Sequence, residues 1–234
     1  GFGTTPLPPH NLTITVVGAG MLWVGWFAFN AGSALAADNT AAMAMLVTHL
    51  SAACGSLAWM AMEWIRHGKP SVLGIVTGMV AGLGTITPAS GSVGPAAAVV
   101  IGLTAGVVCY YATSYLKNVL KIDDSLDVFP VHGVGGMLGT LLAGIFCSTQ
   151  LGIFSGNGFS DGIDSIGGQL MVQATGVVST LAGVAGQLGN ADGGAGVARF
   201  SGPSAVAVSP LGVVYVADTY NHKIKVIDLH DNSC

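Results

Sequence analysis

Few of the 234 residues are charged: Asp, Glu, Lys and Arg make up 8% of the chain, whereas 51% of it is hydrophobic and the mean hydropathy is +0.69. Soluble domains average about 25% charged residues, so this composition indicates a membrane protein. The formal net charge of −4 argues against a nucleic-acid partner, which needs a basic surface. The four cysteines show neither a metal-ligand nor a disulfide spacing, so we expect no metal and no cofactor.

Five apolar segments follow one another along the chain, each long enough to cross a bilayer core of about 30 Å. We predict membrane-spanning helices at residues 12–37, 41–64, 72–89, 96–115 and 128–147. Glycines recur every four residues at Gly74, Gly78 and Gly82, a spacing that lets helix backbones approach closely. The predicted fold class is therefore an all-α polytopic membrane bundle of about five transmembrane helices.

Lysine and arginine are unevenly distributed among the connections between these segments. They lie in the connections at residues 65–71 and 116–127, and are absent from those at 38–40 and 88–95. Because basic residues in short loops favour the cytoplasmic side, we predict that the loops 65–71 and 116–127 are cytoplasmic.

The stretch Asp123–Gly136, DDSLDVFPVHGVGG, leads into the fifth apolar segment and carries His132. A charged residue inside a span costs roughly 2.5–3.5 kcal/mol, so the imidazole is expected to be neutral and to face a partner or a cavity. Two interpretations remain open, a pore or relay histidine and a histidine that hydrogen-bonds between helices. Asp127 is a candidate N-cap, and Pro130 leaves open whether the helix begins at Asp127 or is interrupted there.

The last third of the chain differs in kind. Residues 148–169 are rich in glycine, serine and aspartate, and Leu170–Val178 is too short to span a membrane. Two alternating segments, VVYVAD at Val213–Asp218 and KIKVID at Lys223–Asp228, then predict a strand–turn–strand unit. One such unit cannot bury both its faces alone.

Several segments resemble the ammonium transporters of the Amt/Mep/Rh type: PPHNLT, GWFAFNAGSALAA, EWIRHGKPSVLG, TPASG and DDSLDVFPVHGVGG. The resemblance assigns residues 1–175 to a partial transporter domain and implies spans six to ten of an eleven-helix fold built from two inverted halves. We therefore expect the first half to lie upstream and the eleventh span and the tail to be absent from this sequence. The resemblance also implies no enzymatic activity, transport of ammonium or ammonia, a plasma or inner membrane, a homotrimer and a cytoplasmic PII-type regulator.

The same resemblance implies roles for individual residues. His132 matches the second of two stacked pore histidines, Ser33 the hydroxyl that binds substrate, Phe29 a ring of the outer aromatic gate, Trp26 and Val128 positions lining the lumen, and Asp127 a structural acid. His10 and His49 do not match the first pore histidine. Without the family, Trp26 could be an interfacial anchor, Phe29 ordinary core and Ser33 a hydroxyl bonded to the backbone.

Residues 178–231 resemble a single NHL repeat through the segments STLAG, ARFSGPSAVAVS and VYVADTYNHKIKVI. Such repeats form β-propeller blades, and a closed propeller needs at least four, so the resemblance implies about one blade. Three functional hypotheses remain: half of an ammonium pore, a membrane-anchored NHL-type binding module, and an inactive fragment or fusion.

Overall fold

The computed structural model describes residues 9–160, 162–178, 189–191, 199, 201, 203–208 and 213–228. The chain divides into two compact units, Gly1–Val177 and Val178–Cys234. The segment STLAG at 179–183 and residues 229–231 lie outside the described part.

The first unit is helical. Its helices are α1 (Leu12–Gly32), α2 (Asn39–His67), α3 (Val72–Ile86), α4 (Pro95–Asn118), α5 (Gly135–Phe146) and α6 (Ile166–Val178), with a 3-10 turn at Thr87–Ala89 and a π-helical turn at Phe129–Val134. Counting these two turns with α3 and α5, five helices in the described part of the chain are long and apolar enough to cross a membrane, which confirms the predicted fold class. The 13-residue α6 is an additional helix that the sequence analysis did not predict.

Side-chain caps fix the starts of three helices. Asn11, Asp38 and Ser71 each accept a hydrogen bond from the backbone N–H three residues ahead, at 3.0, 3.0 and 2.9 Å. Such caps satisfy N–H groups that the first helical turn leaves open. α1 ends at Gly32, earlier than residue 37, and the chain turns there through Leu35, whose φ of 57° lies outside helical geometry.

Glycines bring α2 and α3 into backbone contact. A Cβ built on Gly82 would overlap the carbonyl oxygen of Ser51 and lie 2.9 Å from the Cα of Ala52. The Ser51 hydroxyl donates to the Gly82 carbonyl at 2.8 Å across the same seam. The four-residue glycine spacing therefore marks a helix interface, as predicted.

α1 is packed on one side only. Ala19, Trp23 and Trp26 lie against α3, where Met79 and Leu83 are buried. Within its most apolar 18 residues only 6% are buried, against 33–56% for the other four spans. Most of the α1 surface is thus open in the described bundle.

The two basic connections lie at the same end of the bundle. There His67 Nε2 lies 3.0 Å from the hydroxyl of Tyr110, and Lys117 forms an ion pair with Asp127. At the other end Asn157 donates to the carbonyl of Gly91 at 2.9 Å, which joins the segment after α5 to the α3–α4 connection. The connections that contain lysine and arginine therefore lie at one end of the bundle, and the α3–α4 connection, which contains none, lies at the other end.

The second unit contains a three-stranded antiparallel sheet in the order β1 (Pro203–Val208), β2 (Val213–Asp218), β3 (Lys223–Asp228). The predicted strand–turn–strand unit is confirmed by β2 and β3, and β1 adds a strand to it. Asp218 is fully buried and accepts from the N–H of Ser201 at 2.6 Å and from Asn221 Nδ2 at 2.7 Å.

Candidate functional site

The π-helical turn places His132. The turn spans Phe129–Val134, just before α5, and π-turns are frequent at functional positions of helices. A Cβ built on Gly84 of α3 would lie 3.7 Å from His132 Nδ1, an ordinary van der Waals distance, so α3 passes beside this edge of the ring. The imidazole is exposed in the described bundle. Within the described residues neither ring nitrogen makes a hydrogen bond to the protein, so both can reach a ligand.

Trp26 of α1 covers one face of the His132 ring. The ring centroids are 6.1 Å apart and the planes differ by 14°, a stacked arrangement. The indole Nε1 donates to the Thr87 hydroxyl at 2.8 Å. The polar edge of the indole is therefore bonded inside the bundle, unlike that of an interfacial anchor, and the lumen-lining role of Trp26 stays a prediction.

Phe29 and Ser33 continue the same helix beyond Trp26. The Phe29 ring meets Trp26 edge to face, with centroids 6.1 Å apart and an interplanar angle of 74°, and 61% of the residue is exposed. Phe29 is therefore not core within the described bundle. The Ser33 hydroxyl donates to the Phe29 carbonyl at 2.6 Å, which is the backbone bond considered as its alternative role. This bond leaves the lone pairs of the Ser33 oxygen available to an N–H donor.

An apolar depression of about 720 Å³ runs along α1. Its lining consists of apolar side chains and glycines: Gly18, Met21, Leu22, Gly25, Trp26 and Phe29. The rings of Trp26 and Phe29 therefore border an uncharged surface, and such a surface disfavours a bare cation.

Asp124 supplies the carboxylate that caps this turn, so the prediction that the Asp127 carboxylate does so is wrong, although the helix begins directly after Asp127, whose carbonyl accepts from the Val131 N–H at 3.1 Å. Asp124 accepts from the N–H groups of Val128 and Phe129 at 3.0 and 2.7 Å. Asp127 has a φ of 56°, and its carboxylate pairs with Lys117 at the end of α4 at 2.5 Å. Positive φ directs the Asp127 side chain to α4 and away from the helix start.

Burial raises the pKa of Asp127 above its ordinary value, and the bond to Lys117 opposes that rise. Val128, between the acidic group and the turn, is half exposed, with 52% of its surface accessible. Asp127 thus lies beside the turn and ties it to α4, whereas Val128 immediately precedes the first residue of the turn.

His49 lies apart from this group. Its ring centroid is 5.2 Å from that of Trp23 and 5.9 Å from that of Phe27, on another side of α1 from the depression. The structure thus brings together His132, Trp26 and Phe29, and leaves His49 outside. Exposed His10 lies before α1, in no described contact with these rings.

Sequence reasoning missed four residues that shape the site. Thr87 holds Trp26, Gly84 lies beside His132, Asp124 caps the turn and Lys117 pairs with Asp127. The segment TPASG, which belongs to the family resemblance, begins with the Thr87 that supplies this hydroxyl. In the described part of the chain, no three His, Cys, Asp or Glu side chains are grouped closely enough to hold a metal ion.

Comparison with known proteins places these residues in a family. The model of the Ammonium Transporter Family matches residues 2–189, and that of the NHL repeat matches residues 200–227. Ammonium transporter Amt1 of Archaeoglobus fulgidus is 47% identical over 157 residues, covering 67% of this chain and 39% of the relative. Ammonium transporter 1 of Schizosaccharomyces pombe is 47% identical over 156 residues, covering 67% and 31%.

Solved structures agree with the sequence relatives. The crystal structure of Saccharomyces cerevisiae Mep2 matches with a TM-score of 0.62 and 40% identity, over 72% of this chain and 42% of that one. The chain thus spans about a third to two fifths of the length of these proteins. Because the family model matches well over half of the residues, the chain belongs to the ammonium transporter family.

Proposed function

We propose that this chain contributes to transmembrane transport of ammonium or ammonia through a hydrophobic pore lined by His132. The observation that carries the proposal is the stack of His132 on Trp26 beside the apolar depression of α1. These are residues to which the family resemblance gives a lumen role, and the relatives are named ammonium transporters.

The first step is capture of the cation at the outer end of α1. An aromatic face attracts a cation by roughly 0.5–2 kcal/mol, and Phe29 offers an exposed ring. The Ser33 oxygen accepts from an ammonium N–H while its own proton stays on the Phe29 carbonyl. Together they replace part of the water that ammonium leaves behind.

The second step is passage through the apolar part. The depression along α1 offers no charged group, so it disfavours ammonium and favours deprotonated ammonia. A neutral His132 offers one donor and one acceptor to the migrating molecule, and an imidazole can also take up and return a proton. Val128 lines the inner end, and Asp127 supports the turn through Lys117.

We further propose that the described bundle is half of the transport unit. A preceding segment, supplied upstream or by another chain, would cover α1 and the exposed His132, and would bring the first pore histidine. Two observations support this: the open surface of α1 and the share of the relatives that the chain spans. The proposal includes a homotrimer in a plasma or inner membrane, with loops 65–71 and 116–127 cytoplasmic and available to a PII-type regulator.

The test is co-production of this chain with the first half of a family member in cells that lack ammonium transporters, followed by labelled methylammonium uptake. We expect uptake with the wild-type chain and its loss in His132→Ala. His49→Ala is the matched control, because it removes another histidine of a span without touching the Trp26 stack.

Two results would contradict the proposal. Uptake that survives in His132→Ala would remove the histidine from the pathway. Flux through liposomes that contain this chain alone, abolished by His132→Ala, would show that no preceding half is needed. Rapid degradation together with the lack of a trimer in detergent would instead favour an inactive fragment.

A second candidate function, a membrane-anchored binding module, rests on the exposed face of the β-sheet. Tyr215 on β2 pairs with Val226 on β3, and Ile224 lies on the same face; 43%, 45% and 65% of these residues are exposed. In a propeller such a face is covered by the next blade. Protease protection in intact cells tests the module, because protection of Lys223 from external protease would exclude an outer-face location.

A further inference from the structure

Three side chains from separate elements form one connected chain of contacts at the site. His132 on the π-helical turn stacks on Trp26 of α1, and Trp26 Nε1 bonds to Thr87 Oγ1 at 2.8 Å. The Thr87 hydroxyl in turn bonds to the carbonyl of Leu83, in the last turn of α3, at 2.7 Å. Residues 26 and 87 lie 61 positions apart, so the contact joins α1 to the end of α3.

The chemistry of these groups fixes the direction of both hydrogen bonds. An indole N–H donates only, and a carbonyl oxygen accepts only, whereas a hydroxyl has one proton and two lone pairs. Thr87 must therefore give its proton to Leu83 and accept from Trp26. The bond to the Leu83 carbonyl sets the rotation of the Thr87 hydroxyl about its Cβ–Oγ bond. A lone pair of the oxygen is therefore directed toward the indole independently of the bond to Trp26.

Little else orients the imidazole within the described bundle. Gly84, which lies beside Nδ1, has no side chain to hold the ring, and the indole of Trp26 is the one aromatic ring that the described residues place against His132. The imidazole lies nearly parallel to the indole, with 14° between the planes, and the indole is held at its polar edge by Thr87.

We propose that Thr87 is a positioning residue that fixes the indole plane of Trp26 and, through it, the orientation of the His132 ring. The link to conduction rests on the proposed pore function, but the positioning itself does not. Thr87 needs no contact with the transported molecule for this role, because it acts through Trp26.

The test compares Thr87→Val, Thr87→Ser and Thr104→Val in the full chain, purified in detergent micelles. Valine keeps the shape of threonine but removes the acceptor, whereas serine keeps the hydroxyl. Thr104 is the matched control, because its hydroxyl bonds to the carbonyl four residues earlier, at 2.7 Å, as Thr87 does, and contacts no indole N–H.

Two NMR signals report the positions directly: the indole N–H of Trp26 and the ring protons of His132, assigned with Trp26→Phe and His132→Ala. Stacking on an indole shifts imidazole protons upfield. In Thr87→Val we expect faster exchange of the Trp26 N–H with solvent and loss of the upfield shift at His132. Thr87→Ser should restore both signals, and Thr104→Val should change neither.

The proposal is overturned if Thr87→Val leaves the His132 ring protons at their wild-type positions, or if Thr104→Val displaces them equally. Circular dichroism of each variant establishes that it is folded before the signals are compared. The outcome is independent of methylammonium uptake. Displaced His132 signals in Thr87→Val, together with uptake that is insensitive to His132→Ala, would uphold the positioning role and reject the pore role. Unchanged His132 signals in Thr87→Val, together with uptake that is lost in His132→Ala, would reject the positioning role and uphold the pore role.

Discussion

Substituting Gly82 by alanine tests the helix interface on which the bundle depends. In the structure an added Cβ would overlap the Ser51 carbonyl oxygen and lie 2.8 Å from its carbonyl carbon. Carbon atoms in optimal contact are about 3.5 Å apart, so α2 and α3 must separate locally by about 0.7 Å. That separation also stretches the 2.8 Å bond from the Ser51 hydroxyl to the Gly82 carbonyl.

The expected loss of stability combines three contributions. Overpacking a close interface costs about 1–3 kcal/mol. Weakening the Ser51 hydrogen bond removes up to about 1 kcal/mol. Alanine is better than glycine inside a helix by about 1 kcal/mol, which opposes both. Together these contributions amount to about 0–3 kcal/mol, so we expect Gly82→Ala to lower the free energy of unfolding by up to about 3 kcal/mol.

The measurement is reversible unfolding of the purified chain in mixed micelles, followed by helical circular dichroism. Gly20→Ala on α1 is the control, because a Cβ there meets nothing within 4 Å, and its stability should stay the same or rise by at most about 1 kcal/mol. Equal stability of Gly82→Ala and Gly20→Ala would refute the close approach of α2 and α3.

Two further predictions concern the acidic segment before the π-helical turn. Burial raises the pKa of Asp127, so the folded state holds its proton to higher pH than the unfolded chain does. The free energy of unfolding should therefore fall as the pH rises from the ordinary value of 3.8 through the raised pKa of Asp127, and the Asp127→Asn variant should lack this fall. Identical pH profiles of the wild-type chain and Asp127→Asn would contradict a raised pKa at Asp127. Asp124→Ala removes the acceptor of two N–H groups and should cost about 0.5–2 kcal/mol, with faster hydrogen exchange at Val128 and Phe129. Asp123→Ala loses only an exposed bond to Ser125 and should leave those amides protected; equal exchange in both variants would show that Asp124 is not the cap.

The five spans were predictable because lipid allows few alternatives. A chain in a bilayer must satisfy its backbone groups within each segment, so apolar length alone identifies the helices. The strands of the second unit were predictable for a similar reason, since alternation in Val213–Asp218 and Lys223–Asp228 is local. α6 was not predicted, because its 13 residues are fewer than a membrane-spanning helix needs.

The details of the site depend on contacts that no local pattern contains. Three carboxylates stand within five residues, and which one caps the turn is decided by the positive φ of Asp127 and by Lys117 at the end of α4. The bond between Trp26 and Thr87 joins residues on different elements. The resemblance supplied His132, Trp26 and Phe29, but only the structure shows the hydroxyl behind them.

The π-helical turn places His132 and the glycines that pack against α3 on different faces of the helix, whereas a continuous α-helix would place them on one face. Gly135 and Gly139 follow His132 by three and seven residues, a spacing that puts all three on one α-helical face. Both glycines press against Thr85 of α3, where no imidazole would fit. A π-turn holds one residue more than an α-turn and so rotates the remainder of the helix by about 100°. In this chain the histidine and the glycine seam can therefore be substituted independently of each other, whereas deletion of a single residue from the turn would rotate His132 into the seam.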